Sequence, residues 1–171
     1  MTAASEPDLV AEAAALGDAL RARGWMLCAA ESCTGGLIAA ACTAVAGSSD
    51  WFERGFVTYS NAAKTDLLGV PADLIARHGA VSAEVARAMA EGALARSRAQ
   101  LAVAVTGIAG PGGAVPGKPV GTVWLALASA GAPANAECLQ LSGDRAAVRA
   151  QTVAVALARL RASAVWHLGA R

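Results

Sequence analysis

Trp25-Met26-Leu27-Cys28-Ala29-Ala30-Glu31-Ser32-Cys33-Thr34-Gly35-Gly36 begins as a short apolar run and breaks into a small polar turn, and residues 37–46 then read as a helix. An apolar run of that length, bounded by a turn, is the pattern of a strand buried on both faces. The flanking sequence extends the pattern in both directions. Upstream, Leu9, Val10, Ala13, Leu16 and Leu20 recur at helical spacing within residues 7–23, and Gly24 ends that helix. Downstream, Gly47-Ser48-Ser49 breaks the second helix, and residues 51–59 alternate as a strand. Asn61 is expected to cap a short helix through Leu68, Pro71 to start another ending near Gly79, and Ser82 to cap a longer one to about Arg98. Residues 101–105 read as a strand and residues 107–119 as a loop with five glycines and three prolines. Residues 120–130 and 137–141 read as further strands, and Gly143-Asp144 leads into a last helix through about Leu160.

Strands and helices that interleave in this way predict an α/β fold, a three-layer α/β/α sandwich. No helix separates the strands on either side of the glycine-rich loop, so the sheet is expected to be mixed. At 171 residues, with no repeat or linker, residues 1–171 are expected to form a single domain. Much of the apolar content is alanine, which predicts a close-packed core of small residues.

Composition narrows the function. Lys and Arg number 14 and Asp and Glu 13. A generic nucleic-acid binder would carry a basic excess, so no nucleic-acid partner is expected. A small anionic ligand needs only one local site and stays open. Cys28, Cys33, Cys42 and Cys138 form no C-x-x-C pair, and His78 and His167 are the only histidines, so neither a metal site nor a cofactor is expected. Residues 1–8 carry no basic and apolar leader pattern, and the uncharged stretch at residues 32–49 holds only about ten apolar residues in a row, half of a membrane span. The expectation is a cytoplasmic chain with reduced thiols and no membrane contact.

Four segments can carry chemistry. The first is Ala30-Glu31-Ser32-Cys33-Thr34-Gly35-Gly36, at a strand end, where α/β sheets place their ligands. Ser32 would project from a sharp turn, free N–H groups at the helix start could hold an oxyanion, and Gly35 and Gly36 would let a substrate approach the backbone. Equally, Ser32 and Thr34 could simply cap the helix. Cys33 is a rival nucleophile without an obvious histidine partner. Glu31 could orient a lysine or accept backbone N–H bonds. The second segment is Tyr59-Ser60-Asn61-Ala62-Ala63-Lys64. Twelve arginines accompany only two lysines, Lys64 and Lys118. Lysine loses its proton when desolvated and arginine does not, so Lys64 is a candidate base, against the alternative of a surface lysine on a short helix. Lys118, in a Gly/Pro loop, reads as solvated. The third is Thr106-Gly107-Ile108-Ala109-Gly110-Pro111, a glycine-rich loop after a strand that could cradle phosphate. It is not a P-loop, and taken alone it reads as a surface turn. The fourth is Gly143-Asp144-Arg145 with Arg149: Asp144 caps the helix, and Arg145 and Arg149, one turn apart, could grip a phosphate or form a solvated face.

These segments resemble the C-terminal domain of the competence/damage-inducible protein CinA. The resemblance rests on residues 30–36, on Gly47-Ser48-Ser49, on Phe52-Glu53-Arg54-Gly55-Phe56-Val57-Thr58-Tyr59-Ser60-Asn61 with Lys64, on Thr106-Gly107-Ile108-Ala109-Gly110-Pro111, on Lys118-Pro119-Val120-Gly121-Thr122-Val123 and on Gly143-Asp144-Arg145. It covers residues 9–160, in the order of the family's motifs, and implies a stand-alone copy of that domain. It implies hydrolysis of nicotinamide mononucleotide to nicotinic acid mononucleotide and ammonia, within pyridine nucleotide salvage. It implies Ser32 as nucleophile, Lys64 as base and Tyr59 as an assisting group, with Thr106 a family site position. Thr34, Gly35, Gly36, Ser48, Gly107, Arg145 and Arg149 complete the expected oxyanion and substrate-binding set. The expected partners are a small nucleotide substrate and further copies of the chain. The rival readings are a nucleotide-binding regulatory module without chemistry, and an amidase for another amide.

Overall fold

The computed structural model describes residues 6–166, with side-chain detail from Asp8 onward; His167 and most of the N-terminal polar stretch fall outside these bounds. The elements follow in the order α1 (Glu6–Arg21), β1 (Leu27–Glu31), α2 (Leu37–Thr43), a 3-10 turn (Ser48–Asp50), β2 (Phe52–Val57), α3 (Asn61–Leu68), α4 (Ala72–His78), α5 (Ala83–Ala95), β3 (Leu101–Gly107), β4 (Thr122–Ser129), β5 (Ala132–Gln140) and α6 (Arg145–Trp166). One five-stranded sheet runs β2-β1-β3-β4-β5. β1 is parallel to both β2 and β3, whereas β3–β4 and β4–β5 are antiparallel. The mixed sheet follows from the chain: β3 and β4 are joined by a loop with no crossover helix, and β4 and β5 by a tight turn at Gly131.

Strand alternation sorts the core into two layers. Leu27, Ala29, Leu101, Val103, Val105 and Leu125 face α1, α2 and α6, where Leu16, Ile38, Trp51 and Leu157 are fully buried. Cys28, Ala30, Ala102, Ala104, Ala126 and Ala128 face α3, α4 and α5, meeting Ala86, Met89, Ala90 and Ala93. The second interface is alanine against alanine, so α5 packs close to the sheet. Together the two layers make the three-layer sandwich expected from the sequence.

The differences are local. β5 begins at Ala132, five residues before its expected start, because pairing with β4 (Ala126↔Ala136, Leu127↔Asn135) overrides the poor strand propensity of Ala132-Pro133-Ala134-Asn135. β5 is an edge strand, where a proline is tolerated. α5 stops at Ala95, short of Arg98, and α6 runs on to Trp166. Ser60, not Asn61, caps α3 by accepting the Ala63 N–H at 3.0 Å. Asp144 caps α6 as expected, accepting the Ala147 N–H at 2.8 Å.

Candidate active site

β1 is the switch point of the sheet: its chain leaves toward α2 on one face, whereas the chain leaving β2 turns to α3 on the other. A crevice opens between such exits, at the carboxyl ends of the strands. A cleft of about 240 Å³ lies there, lined by Ser32, Cys33, Tyr59, Asn61, Lys64, Ala80, Val81, Thr106, Gly107, Ala109 and Arg145. A larger groove of about 350 Å³ between α1, α2 and α6 is lined only by apolar chains such as Leu9, Leu37 and Val153, and holds neither a nucleophile nor a base.

Lys64 is the centre of the cleft. It sits in the first turns of α3, is only 1% exposed, and donates to Ser32 Oγ at 3.0 Å and to the Thr58 carbonyl at 2.8 Å. Among the described residues no carboxylate pairs with it. Burial therefore lowers its pKa from the usual lysine value, opposed only weakly by the Cys33 thiol. The same burial pushes the Cys33 thiol up to about 11, so the sulfur beside Ser32 is held as a neutral thiol. Cys28 and Cys42 are likewise buried, free and raised, the former to about 11 and the latter to about 12.

The turn after β1 is tightly held. Gly35 and Gly36 both have positive φ (61° and 104°), which side-chain-bearing residues rarely adopt, so the sharp path past Ser32 requires glycine. Glu31, fully buried, accepts from Thr34 Oγ1 at 2.6 Å, Gly36 N at 3.0 Å, Ile38 N at 3.0 Å and Ala39 N at 2.9 Å. The carboxylate thus caps α2 from the preceding strand and settles its two sequence roles in favour of backbone bonding. This corrects one expectation: the amides at the start of α2 are already occupied, as is Gly35 N–H, which donates to the Ser32 carbonyl at 3.1 Å. Among the described residues no other residue takes the N–H groups of Cys33 and Thr34, the two amides directly after Ser32; the Cys33 N–H faces its own thiol.

The other expected residues divide. Thr106, fully buried at the end of β3, donates to the Ala80 carbonyl at 2.9 Å and ties the α4–α5 connection to the cleft floor. Gly107 is needed for close packing, since a Cβ there would press on Val123 and the Thr122 carbonyl. Tyr59 is 60% exposed at the cleft mouth and its hydroxyl accepts from Arg145 at 2.8 Å; it bonds to neither Ser32 nor Lys64. Arg145 also donates to the Gly110 carbonyl at 2.9 Å. Arg149, expected beside it as one arginine face, turns to the nucleophile loop instead and donates to the Thr34 carbonyl at 3.0 Å. Ser48 stands apart, in the turn before β2, at the opposite end of that strand from the cleft. Lys118 is half-buried rather than solvated and donates to the His78 carbonyl at 3.1 Å. The candidate segments include Asn61 and Ala109 without a role for either, and sequence reasoning missed Ala80 and Val81 as cleft residues. Only Asn61 gave a signal, as the polar residue one helical turn before Lys64.

A buried lysine bonded to a serine, at the switch point of a three-layer α/β sheet, defines a protein with a Ser–Lys pair and, among the described residues, no histidine in its cleft. The chain belongs to the CinA C-terminal domain family, which it matches over residues 10–164. It is 58% identical over 142 residues to the nicotinamide-nucleotide amidohydrolase PncC of Pseudomonas putida, covering 83% of this chain and 88% of that one. It is 60% identical over 142 residues to a CinA-like protein of Citrifermentans bemidjiense, covering 83% of this chain but 34% of the relative, so it spans about a third of such longer relatives. The crystal structure of the competence/damage inducible protein CihA from Agrobacterium tumefaciens superposes with a TM-score of 0.89 at 45% identity, covering 95% of this chain and 98% of that one.

Proposed function

We propose that this chain is a nicotinamide-nucleotide amidohydrolase, which converts nicotinamide mononucleotide and water to nicotinic acid mononucleotide and ammonia by way of an acyl-enzyme on Ser32. The observation that carries the mechanism is the 3.0 Å contact between Lys64 Nζ and Ser32 Oγ in a buried setting where no carboxylate of the described residues bonds the lysine. Desolvation lowers the Lys64 pKa and so favours the neutral amine, which in that form keeps one N–H on the Thr58 carbonyl and turns its lone pair to the Ser32 hydroxyl. It takes the serine proton as Oγ attacks the amide carbon, then hands it to the departing nitrogen. The N–H groups of Cys33 and Thr34, which no other described residue takes, receive the tetrahedral oxyanion. Water, deprotonated by the same amine, then releases the acid. Arg145, at the mouth and braced by Gly110, meets the phosphate, with Tyr59 forming the wall beside it. The chain works as one domain, in the cytoplasm, without a cofactor, and as a homo-oligomer; a monomeric mass by light scattering would remove the last point.

The test is ammonia release by the purified protein from nicotinamide mononucleotide, free nicotinamide, its riboside and NAD. The mononucleotide should be turned over best and the riboside much more poorly. Ser32→Ala should abolish release and Cys33→Ala should keep most of it. Release from none of the four compounds would leave a binding module or an amidase for another amide.

A further inference from the structure

We propose that Arg149 is a positioning residue for the nucleophile turn, acting through the carbonyl of Thr34, and not a ligand of the substrate's phosphate. The inference deepens the amidohydrolase reading and rests on it. Arg149 is absent from the cleft lining, whereas Arg145, one turn earlier on α6, is part of it. Its guanidinium lies beneath the turn: Nη2 donates to Thr34 O at 3.0 Å and stands 3.7 Å from where a Cβ on Gly35 would be. Its Nε is buried with no acceptor. A buried donor left unpaired is costly, so the side chain is held in place for its reach to Thr34 rather than for its own saturation.

Thr34 is gripped from the other side as well. Its hydroxyl donates to Glu31 at 2.6 Å, and Glu31 is fixed by three amides of α2. The Ser32 carbonyl is tied by Gly35 N–H at 3.1 Å. The peptide planes on both sides of residues 33 and 34 are therefore set by four contacts: Glu31 from β1, Gly35 N–H within the turn, Leu37 N–H, which donates to the Thr34 carbonyl at 3.4 Å, and Arg149 from α6. No other described residue takes the Cys33 and Thr34 N–H groups that the chemistry needs. Without Arg149, the Thr34–Gly35 plane loses its only side-chain restraint from the α6 layer, and the turn that carries the neighbouring Thr34 N–H loosens.

The experiment compares wild type, Arg149→Met, Arg149→Lys and Arg145→Ala. The readouts are kcat and KM for nicotinamide mononucleotide, the inhibition constant of ribose 5-phosphate, and the rate at which a fluorophosphonate, which carries no phosphate dianion, labels Ser32. Arg149→Met should lower kcat and the labelling rate by about 100-fold, the scale of a small misplacement of reacting groups. It should leave the ribose 5-phosphate constant within about two-fold, and Arg149→Lys, with one donor restored, should recover part of the labelling rate. Arg145→Ala should show the reverse pattern, a raised inhibition constant with labelling largely kept. An inhibition constant raised about ten-fold or more in Arg149→Met, or an unchanged labelling rate, overturns the proposal. If Arg149→Met does not fold, the same criteria apply to Arg149→Lys. Failure of the wild type to release ammonia would instead strike the amidohydrolase reading, while labelling of Ser32 would still decide the role of Arg149.

Discussion

At the scale of single residues, a lysine in an interior without a counter-charge is the unusual feature. Its folded pKa lies below its unfolded value. Below the folded pKa both states are protonated, and the fold carries the full penalty of a buried ammonium. Between the two values the unfolded chain binds more protons, so stability rises with pH, and above the unfolded value the penalty is gone. Lys64→Met, which never carries the charge, should therefore gain on wild type in urea unfolding at neutral pH, and the gap should close as pH rises toward 10. A gap independent of pH would mean that the amine is not desolvated. The sequence exposed Lys64 through its rarity among arginines and Ser32 through its place at a strand-to-helix turn. It did not separate Arg145 from Arg149, because helical spacing gives a shared face and not the direction each long side chain takes. It also did not bring Ala80, Val81 and Ala109 to the cleft. Those residues come from connections remote from Ser32 and carry no chemical signature of their own.

At the scale of elements, two caps and one close approach position the pair. Ser60 caps α3 and so aims Lys64 inward, and Glu31 caps α2 and so fixes the turn that carries Ser32. Glu31→Gln removes the charge and turns an NH₂ group toward N–H donors, and hydrogen bonds to a charged group are worth about 1.5–3 kcal/mol each. A loss of at least about 2 kcal/mol in urea unfolding is expected; a variant as stable as wild type would deny the cap its role. Gly92, in the interior of α5, is a sharper case. Alanine is the better helix former by about 0.8–1.0 kcal/mol, yet a Cβ at Gly92 would collide with the carbonyl oxygen of Leu68 at the end of α3. Collision with backbone outweighs propensity, so Gly92→Ala should lose about 1–3 kcal/mol and a good part of kcat, since α3 carries Lys64. A raised melting temperature would show that α3 yields freely. Helices and buried strands were legible from apolar period, but only the second half of β5 was: its first half takes its conformation from β4, a partner that local composition does not reveal.

At the scale of the whole molecule, the cleft is assembled from both layers: Lys64 comes from the α3 side of the sheet, Arg145 from the α6 side, and Ser32 from the strand between them. A ligand that spans them should tie the layers together. Nicotinic acid mononucleotide at about 100 times its dissociation constant should add about 2.7 kcal/mol, which raises the melting temperature of a chain this long by roughly 5–10 °C. No shift at saturating ligand would mean that the cleft does not receive the nucleotide. The layered architecture was legible from the interleaving of elements and the alanine-rich strands. The crevice itself was legible only as a general property of strand ends, since its walls are set by how loops from four strands meet.

The most direct test of Ser/Lys catalysis is kcat for ammonia release from nicotinamide mononucleotide by Lys64→Arg, set against wild type over the neutral to alkaline range. Arginine keeps the positive charge but cannot give up its proton. If the neutral amine of Lys64 is the base, wild-type kcat rises with pH along one ionisation, and Lys64→Arg falls by about 10²–10⁴-fold at every pH. A Lys64→Arg enzyme with near-normal kcat would contradict that role and leave Ser32 in need of another base.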